Sequence, residues 1–124
     1  MKKPAATLAL VLAVALSFAI NLAAAAADVS GTWNVDGDVV GIAVKFACTL
    51  KQDGEKLSGT ANMQGKDIPM TGSVKGSTVS FTFDVDHEGT TYTNVFTGRL
   101  GDNGVIEGSI AVGGVEGSFT AKKQ

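Results

Sequence analysis

The stretch Val79-Ser80-Phe81-Thr82-Phe83-Asp84-Val85 alternates apolar and polar residues without a break. Beyond His87-Glu88-Gly89 the alternation resumes as Tyr92-Thr93-Asn94-Val95-Phe96-Thr97-Gly98. Successive side chains of a β-strand point to opposite faces, so this period of two marks two half-buried strands joined by a tight turn. An isolated hairpin is at best marginally stable in water, so the apolar face must be covered by more sheet.

The pattern extends in both directions. Ile42, Val44, Phe46, Cys48 and Leu50 share one face, opposite Lys45, Thr49 and Lys51. Further turn signals stand at Asp36-Gly37-Asp38, Asp53-Gly54, Gln64-Gly65, Lys75-Gly76, Asp102-Asn103-Gly104 and Gly113-Gly114. Gly, Asn and Asp reach positive φ cheaply, as tight hairpins require. The spacing predicts eight strands, over 30–36, 39–52, 56–63, 67–75, 78–86, 90–100, 105–112 and 115–122. No window in this region repeats at i, i+3, i+4 over helical length, so no substantial helix is expected.

A repeat of the form apolar-x-Gly-x-apolar runs through these segments, centred on Gly31, Gly59, Gly72, Gly98, Gly108 and Gly117. Each of these glycines occupies the apolar phase. An interior strand glycine weakens the strand and marks a bend or a close backbone approach. Six of them suit a small, strongly coiled barrel. Eight short antiparallel strands in hairpin succession form a meander, and closing it removes both edges and covers the apolar face. The expected fold is therefore all-β: one eight-stranded antiparallel up-and-down barrel. A two-sheet sandwich is the alternative. Trp33, Val35, Phe46, Phe81, Phe83, Phe96 and Phe119 should fill the interior. A membrane barrel would invert this phase and use longer strands with aromatic girdles.

The first quarter of the chain reads differently. Met1-Lys2-Lys3 is a short positive segment, Ala5 to Ile20 is almost wholly apolar, and Ala25 and Ala27 form an A-x-A site before Asp28. This is the pattern of a secretory signal peptide over 1–27, cleaved after about Ala27. An uncleaved membrane anchor is the alternative. Cleavage leaves a barrel domain over 28–124 that is periplasmic or secreted and not membrane-embedded. The full chain carries 10 basic and 12 acidic residues, and Lys2 and Lys3 leave with the signal, taking the formal charge from −2 to −4. That balance excludes nucleic acid as a partner, since phosphate binding needs an excess of Lys and Arg. The one Cys excludes an internal disulfide framework. In the apolar phase, Cys48 reads as a small buried hydrophobe.

Alternate turns of a meander lie at the same end. The end opposite the N-terminus collects Asp36, Asp38, Asp67, Asp86 and Glu88, with Asp84 nearby, against Lys66 and His87. The barrel should thus carry one acidic rim, on which Asp36 and Asp38 are the first members.

Gly31-Thr32-Trp33 opens the first strand of this secreted meander. In that respect the chain resembles the calycin group of lipocalins, avidins and fatty-acid-binding proteins, over roughly residues 30–122. The resemblance implies a lipocalin-like barrel with a ligand site. Lipocalins carry a basic residue packed on this Trp, for which Arg99 and Lys122 are the candidates here. Avidin-type biotin sites need several Trp residues, and this chain has one. The chain also resembles small secreted bacterial inhibitors of metalloproteases. It departs from them in having one Cys and almost no segment before its first strand.

Three sets of residues remain as candidate sites. Trp33, Phe83, Tyr92 and Asn94 are the expected ligand-binding set, with Asn94 the one amide in the apolar phase. That amide either orients a ligand or bonds to barrel backbone, because buried amides must be hydrogen-bonded. Asp84, Asp86, His87 and Glu88 cluster carboxylates and an imidazole at one hairpin tip. They are the candidate set for a divalent cation, the only cofactor considered. Catalysis has little to work with, since the sole His is flanked by acids and no Ser sits at a nucleophile elbow. The expected function is non-enzymatic. It is either binding of a small apolar or cationic amphiphilic ligand at the acidic end, or action of a solid barrel through its surface on a protein partner. The second kind would be an inhibitor, an adaptor or an envelope-stress protein. A void of about 300 Å3 or more inside would favour the first, and a filled interior would count against a ligand carried inside the barrel.

Overall fold

The computed structural model describes residues 26–124. The signal-peptide reading falls outside them except at Ala26 and Ala27. Eight strands follow one another: β1 (Gly31–Val39), β2 (Ile42–Asp53), β3 (Lys56–Met63), β4 (Lys66–Lys75), β5 (Thr78–His87), β6 (Thr90–Leu100), β7 (Val105–Val112) and β8 (Val115–Lys123). Each pairs antiparallel with the next, and β8 returns to β1, so the sheet closes into a barrel. Closure decides against the two-sheet sandwich. The meander and its hairpin boundaries follow the sequence pattern to within a residue or so, except at the first turn.

There, Asp36-Gly37-Asp38 is not a turn but lies within β1, and the chain reverses at Val40-Gly41. Gly37 belongs to the inward phase with Trp33, Val35 and Val39. A Cβ on it would fall 2.9 Å from the Ser118 carbonyl and 2.8 Å from Ile110 Cδ1. Asp36 faces outward and pairs with Lys45 at 3.3 Å. A run that reads as a turn is thus another close approach of strands.

The inward glycines have the same explanation. A Cβ on Gly72 would sit 1.9 Å from the Ser80 carbonyl, and one on Gly108 would sit 2.0 Å from that of Thr97. Beside them lie Phe81, the register partner of Gly72, and Phe119, the partner of Gly108. Missing side chains thus let the wall coil tightly and leave room for rings. Phe46, Phe81, Phe83, Phe96 and Phe119 occupy that room as one cluster. Phe96 is stacked on Phe81 at 5.0 Å between centroids, and Phe46 and Phe119 meet it edge-on at 5.6 and 5.1 Å. Both arrangements are favoured ring geometries. The core of the described residues contains no buried polar or charged side chain.

The end carrying the N-terminal segment is sealed. Val29 is fully buried there, and its carbonyl accepts the Trp33 indole N–H at 2.9 Å. Gln52 clamps the segment: Oε1 accepts from the Val29 amide, and Nε2 donates to the Ala27 carbonyl. The cation over Trp33 is neither Arg99 nor Lys122 but Lys123, whose Nζ lies 5.8 Å from the ring centroid. Lys123 is the register partner of Trp33, and its chain crosses where a Cβ on Gly31 would lie, 2.7 Å from Cε. The Gly of the Gly31-Thr32-Trp33 motif thereby clears the path of the lysine.

Candidate functional site

The opposite end is open because the β3–β4 hairpin leaves the wall on both sides. The β2–β3 ladder ends at Ala47↔Asn62, while β2 runs on to Ile42. The β4–β5 ladder runs from Lys75↔Thr78 to Thr71↔Thr82 and stops, while β5 and β6 stay paired out to His87↔Thr90. Pro69 accounts for the second gap. In an antiparallel strand, alternate residues direct their backbone groups to the two neighbours. The Val74 amide donates to the Glu55 carbonyl at 2.8 Å, so even-numbered β4 residues near it face the β3 side. Odd-numbered ones, Ser73, Thr71 and Pro69, face β5. After Thr71 the next donor owed to β5 falls on Pro69, which has no N–H, so that pair lacks one of its two bonds, and the paired register ends at Thr71↔Thr82.

A cavity of about 660 Å3 lies in this opening. Val44, Met63, Ile68 and Val85 form its apolar floor, each half-buried against the core. Its polar margin includes Lys45, Lys66, Asp84, Asp86 and His87. A second cavity of about 300 Å3 adjoins it, sharing Ile68 and Asp84 and adding Pro69 and Phe83. Among the described residues, the exposed large hydrophobics are Val40, Ile42, Tyr92 and Val115, and all four lie at this end. Val40 also holds a φ of 48° in its turn, an uncommon conformation for a β-branched residue.

The expected ligand-binding residues do not form one group. Phe83 is buried in the aromatic cluster and reaches the smaller cavity. Tyr92 is 40% exposed on β6. Asn94 is half-buried, and its amide donates to the Tyr92 carbonyl at 3.2 Å, an internal bond to barrel backbone. Trp33 stands at the sealed end under Val29, away from the opening.

Of the candidate metal residues, Asp84, Asp86 and His87 line the large cavity. Asp84 accepts the Thr93 hydroxyl at 2.8 Å and Asp86 accepts that of Thr91 at 2.5 Å, both across the β5–β6 pair. His87 Nε2 lies 3.7 Å from Glu88 Oε2. Among the described residues, no three His, Cys, Asp or Glu side chains converge in a metal-binding group.

The acids of the rim are on the outer face and exposed. Asp38 accepts the Gly41 amide and Asp67 accepts the Asn62 side-chain amide. Lys45 joins this end as the partner of Asp36, a contact that follows from moving the first turn. The floor residues Val44, Met63, Ile68 and Val85 were not singled out by sequence reasoning. Pro69 was the available signal, since a proline inside a strand marks an unpaired edge.

Among the described residues no helix is long and apolar enough to cross a membrane. No protein-family model matches the chain, and no curated protein matches it in sequence.

Proposed function

We propose that this protein is a non-enzymatic binding module of calycin type that works through one open end of a solid barrel. The single observation that carries the reading is the cavity of about 660 Å3, floored by Val44, Met63, Ile68 and Val85 and edged by Asp84 and Asp86. A concavity with an apolar floor and a polar margin of Lys45, Gln64, Lys66, Asp84, Asp86 and His87 suits a ligand with an apolar body and a polar head. At that margin Lys45 is paired with Asp36, which leaves Asp84 and Asp86 against Lys66 and favours a cationic head, so a small cationic amphiphile is the favoured occupant. The ring cluster packs the lumen, which counts against a ligand held in the interior among Trp33, Phe83, Tyr92 and Asn94 and in favour of one held at the mouth. The lysine-covered Trp33 supports the lipocalin resemblance of the sealed end.

A second reading, in which the barrel acts on a protein partner, draws support from the filled interior and from exposed Val40 and Ile42. The test is a titration of 15N-labelled protein with dodecyltrimethylammonium below its micelle concentration, with dodecyl sulfate as control. The reading expects saturable shifts at Val44, Met63, Ile68 and Val85, loss of binding in Val85→Arg, and weaker binding of the anionic control. Absence of saturable shifts at the mouth would overturn it. Native mass spectrometry of protein purified from its own source would show whether a ligand of this kind accompanies it.

A further inference from the structure

We infer that the gap between β4 and β5 receives an extended polypeptide segment of alternating apolar and basic residues, which pairs its backbone with the open edge of β5. This deepens the mouth-binding reading and rests on it. The alternation that turns Thr78, Ser80 and Thr82 toward β4 also turns Asp84 and Asp86 that way, whereas Phe83 and Val85 bond β6. Asp84 and Asp86 therefore aim their N–H and C=O groups into a gap where β4 offers Pro69. An open edge of this kind is a template for an added strand. The five residues Phe83–His87 beyond the last β4 pair give it a reach of about 17 Å, at ~3.4 Å per residue.

The side chains on either side specify the occupant. A strand laid on β5 presents every second residue inward, onto Val85, Ile68 and Met63, and these should be apolar. Its outward residues lie between Asp84 and Asp86 on β5 and Asp67 on β4, and these should be basic. Lys66 and His87 belong to the inner margin and leave the outer rank acidic. A second copy of the chain fits poorly, because pairing β5 with β5 would set Asp84 and Asp86 against one another, and like charges across strands destabilise.

The test uses the full barrel, 15N-labelled, with acetyl-Val-Lys-Val-Lys-Val-Lys-amide and its Val-Glu counterpart as probes. The lysine peptide is expected to give saturable shifts in residues 66–70 and 83–87 and to slow amide exchange at Asp84 and Asp86. The glutamate peptide should bind about tenfold or more weakly. Asp84→Pro removes one donor aimed into the gap together with the Asp84 carboxylate and its Thr93 bond, keeps the backbone ladder to β6, and should weaken binding by about tenfold or more. The Asp84→Lys/Asp86→Lys double variant, which keeps the backbone intact, should do the same. Equal binding of the two peptides, shifts on another face, or wild-type binding by either variant would overturn the inference. So would protection of Asp84 and Asp86 that rises with protein concentration alone, which indicates self-pairing. If dodecyltrimethylammonium binds at the mouth and the lysine peptide does not, the inference falls while the mouth reading stands. If neither binds, both fall.

Discussion

Replacing Gly72 by Ala should be among the most damaging single-methyl additions this barrel can suffer. The new Cβ would lie 1.9 Å from the Ser80 carbonyl oxygen and 2.7 Å from Phe81 Cα, both backbone atoms of the paired strand. Relief to even a tight contact of 3.0 Å requires β4 and β5 to part locally by about 1.1 Å. A hydrogen bond of ~2.9 Å lengthened by that much is no longer a bond. The bonded pairs flanking Gly72 are Thr71↔Thr82 and Ser73↔Ser80, each exchanging two bonds worth ~1 kcal/mol net apiece, so the loss is about 3–4 kcal/mol. Against a stability of ~5–15 kcal/mol that is a large fraction. Urea unfolding followed by circular dichroism measures it. With a slope of about 1.5 kcal/mol per molar, the midpoint should fall by about 2 M. Gly54→Ala is the control, since a Cβ there meets nothing within 4 Å and the residue has a φ of +62°. It should cost only ~1–2 kcal/mol, the ordinary penalty of a left-handed conformation. If Gly72→Ala costs no more than Gly54→Ala, the strands do not approach as described and the account of the inward glycines is wrong.

Phe96 is fully buried among four other rings, so Phe96→Ala should cost about 3–5 kcal/mol in the same assay. Burial pushes the Cys48 thiol up to about 11 from 9.0. Between those values the unfolded chain binds fewer protons than the folded one, so stability should fall as pH rises from about 9 to 11. The slope is ~1.4 kcal/mol per unit at most, and stability measured against pH should lose this slope in Cys48→Ala. Thiol reagents should also leave Cys48 unmodified until the protein unfolds. Pro69→Val restores a donor facing Asp84 and should add about 0.5–1 kcal/mol of stability. It should also narrow the mouth, weakening dodecyltrimethylammonium binding in the titration described above.

Alternation alone was enough to read the meander, because a period of two allows one register of inward and outward residues per strand. The apolar-x-Gly-x-apolar repeat pointed to closure, since glycines in the inward phase are explained by coiling and by little else. Asp36-Gly37-Asp38 misled for a physical reason. Gly serves both positive φ and close approach, and only the continuation of the inward phase through Gly37 to Val39 separates the two uses. The turn at Val40-Gly41 was hidden because its first residue is β-branched. The mouth was the least legible part. Val44, Met63, Ile68 and Val85 read as ordinary inward residues, and only three-dimensional divergence of the β3–β4 hairpin leaves them half-covered. Asp84, Asp86 and His87 were legible as a group at this end. The two carboxylates face outward, each held by a threonine, while their backbone groups face the gap, a placement that alternation alone does not give.

The barrel is packed with rings and its wall opens where the β3–β4 hairpin leaves it, on one side between β4 and β5 beyond Thr71 and Thr82. Amide hydrogen exchange of the free protein, read residue by residue, tests this opening most directly. Ser73, Ser80, Thr82, Phe83 and Val85 should exchange slowly, each held by a neighbouring strand. Asp84 and Asp86 should exchange orders of magnitude faster, giving an alternation of fast and slow sites along 82–86. Uniform slow exchange through Asp84 and Asp86, at the rate of Ser80, would mean the ladder continues past Pro69 and the mouth is closed.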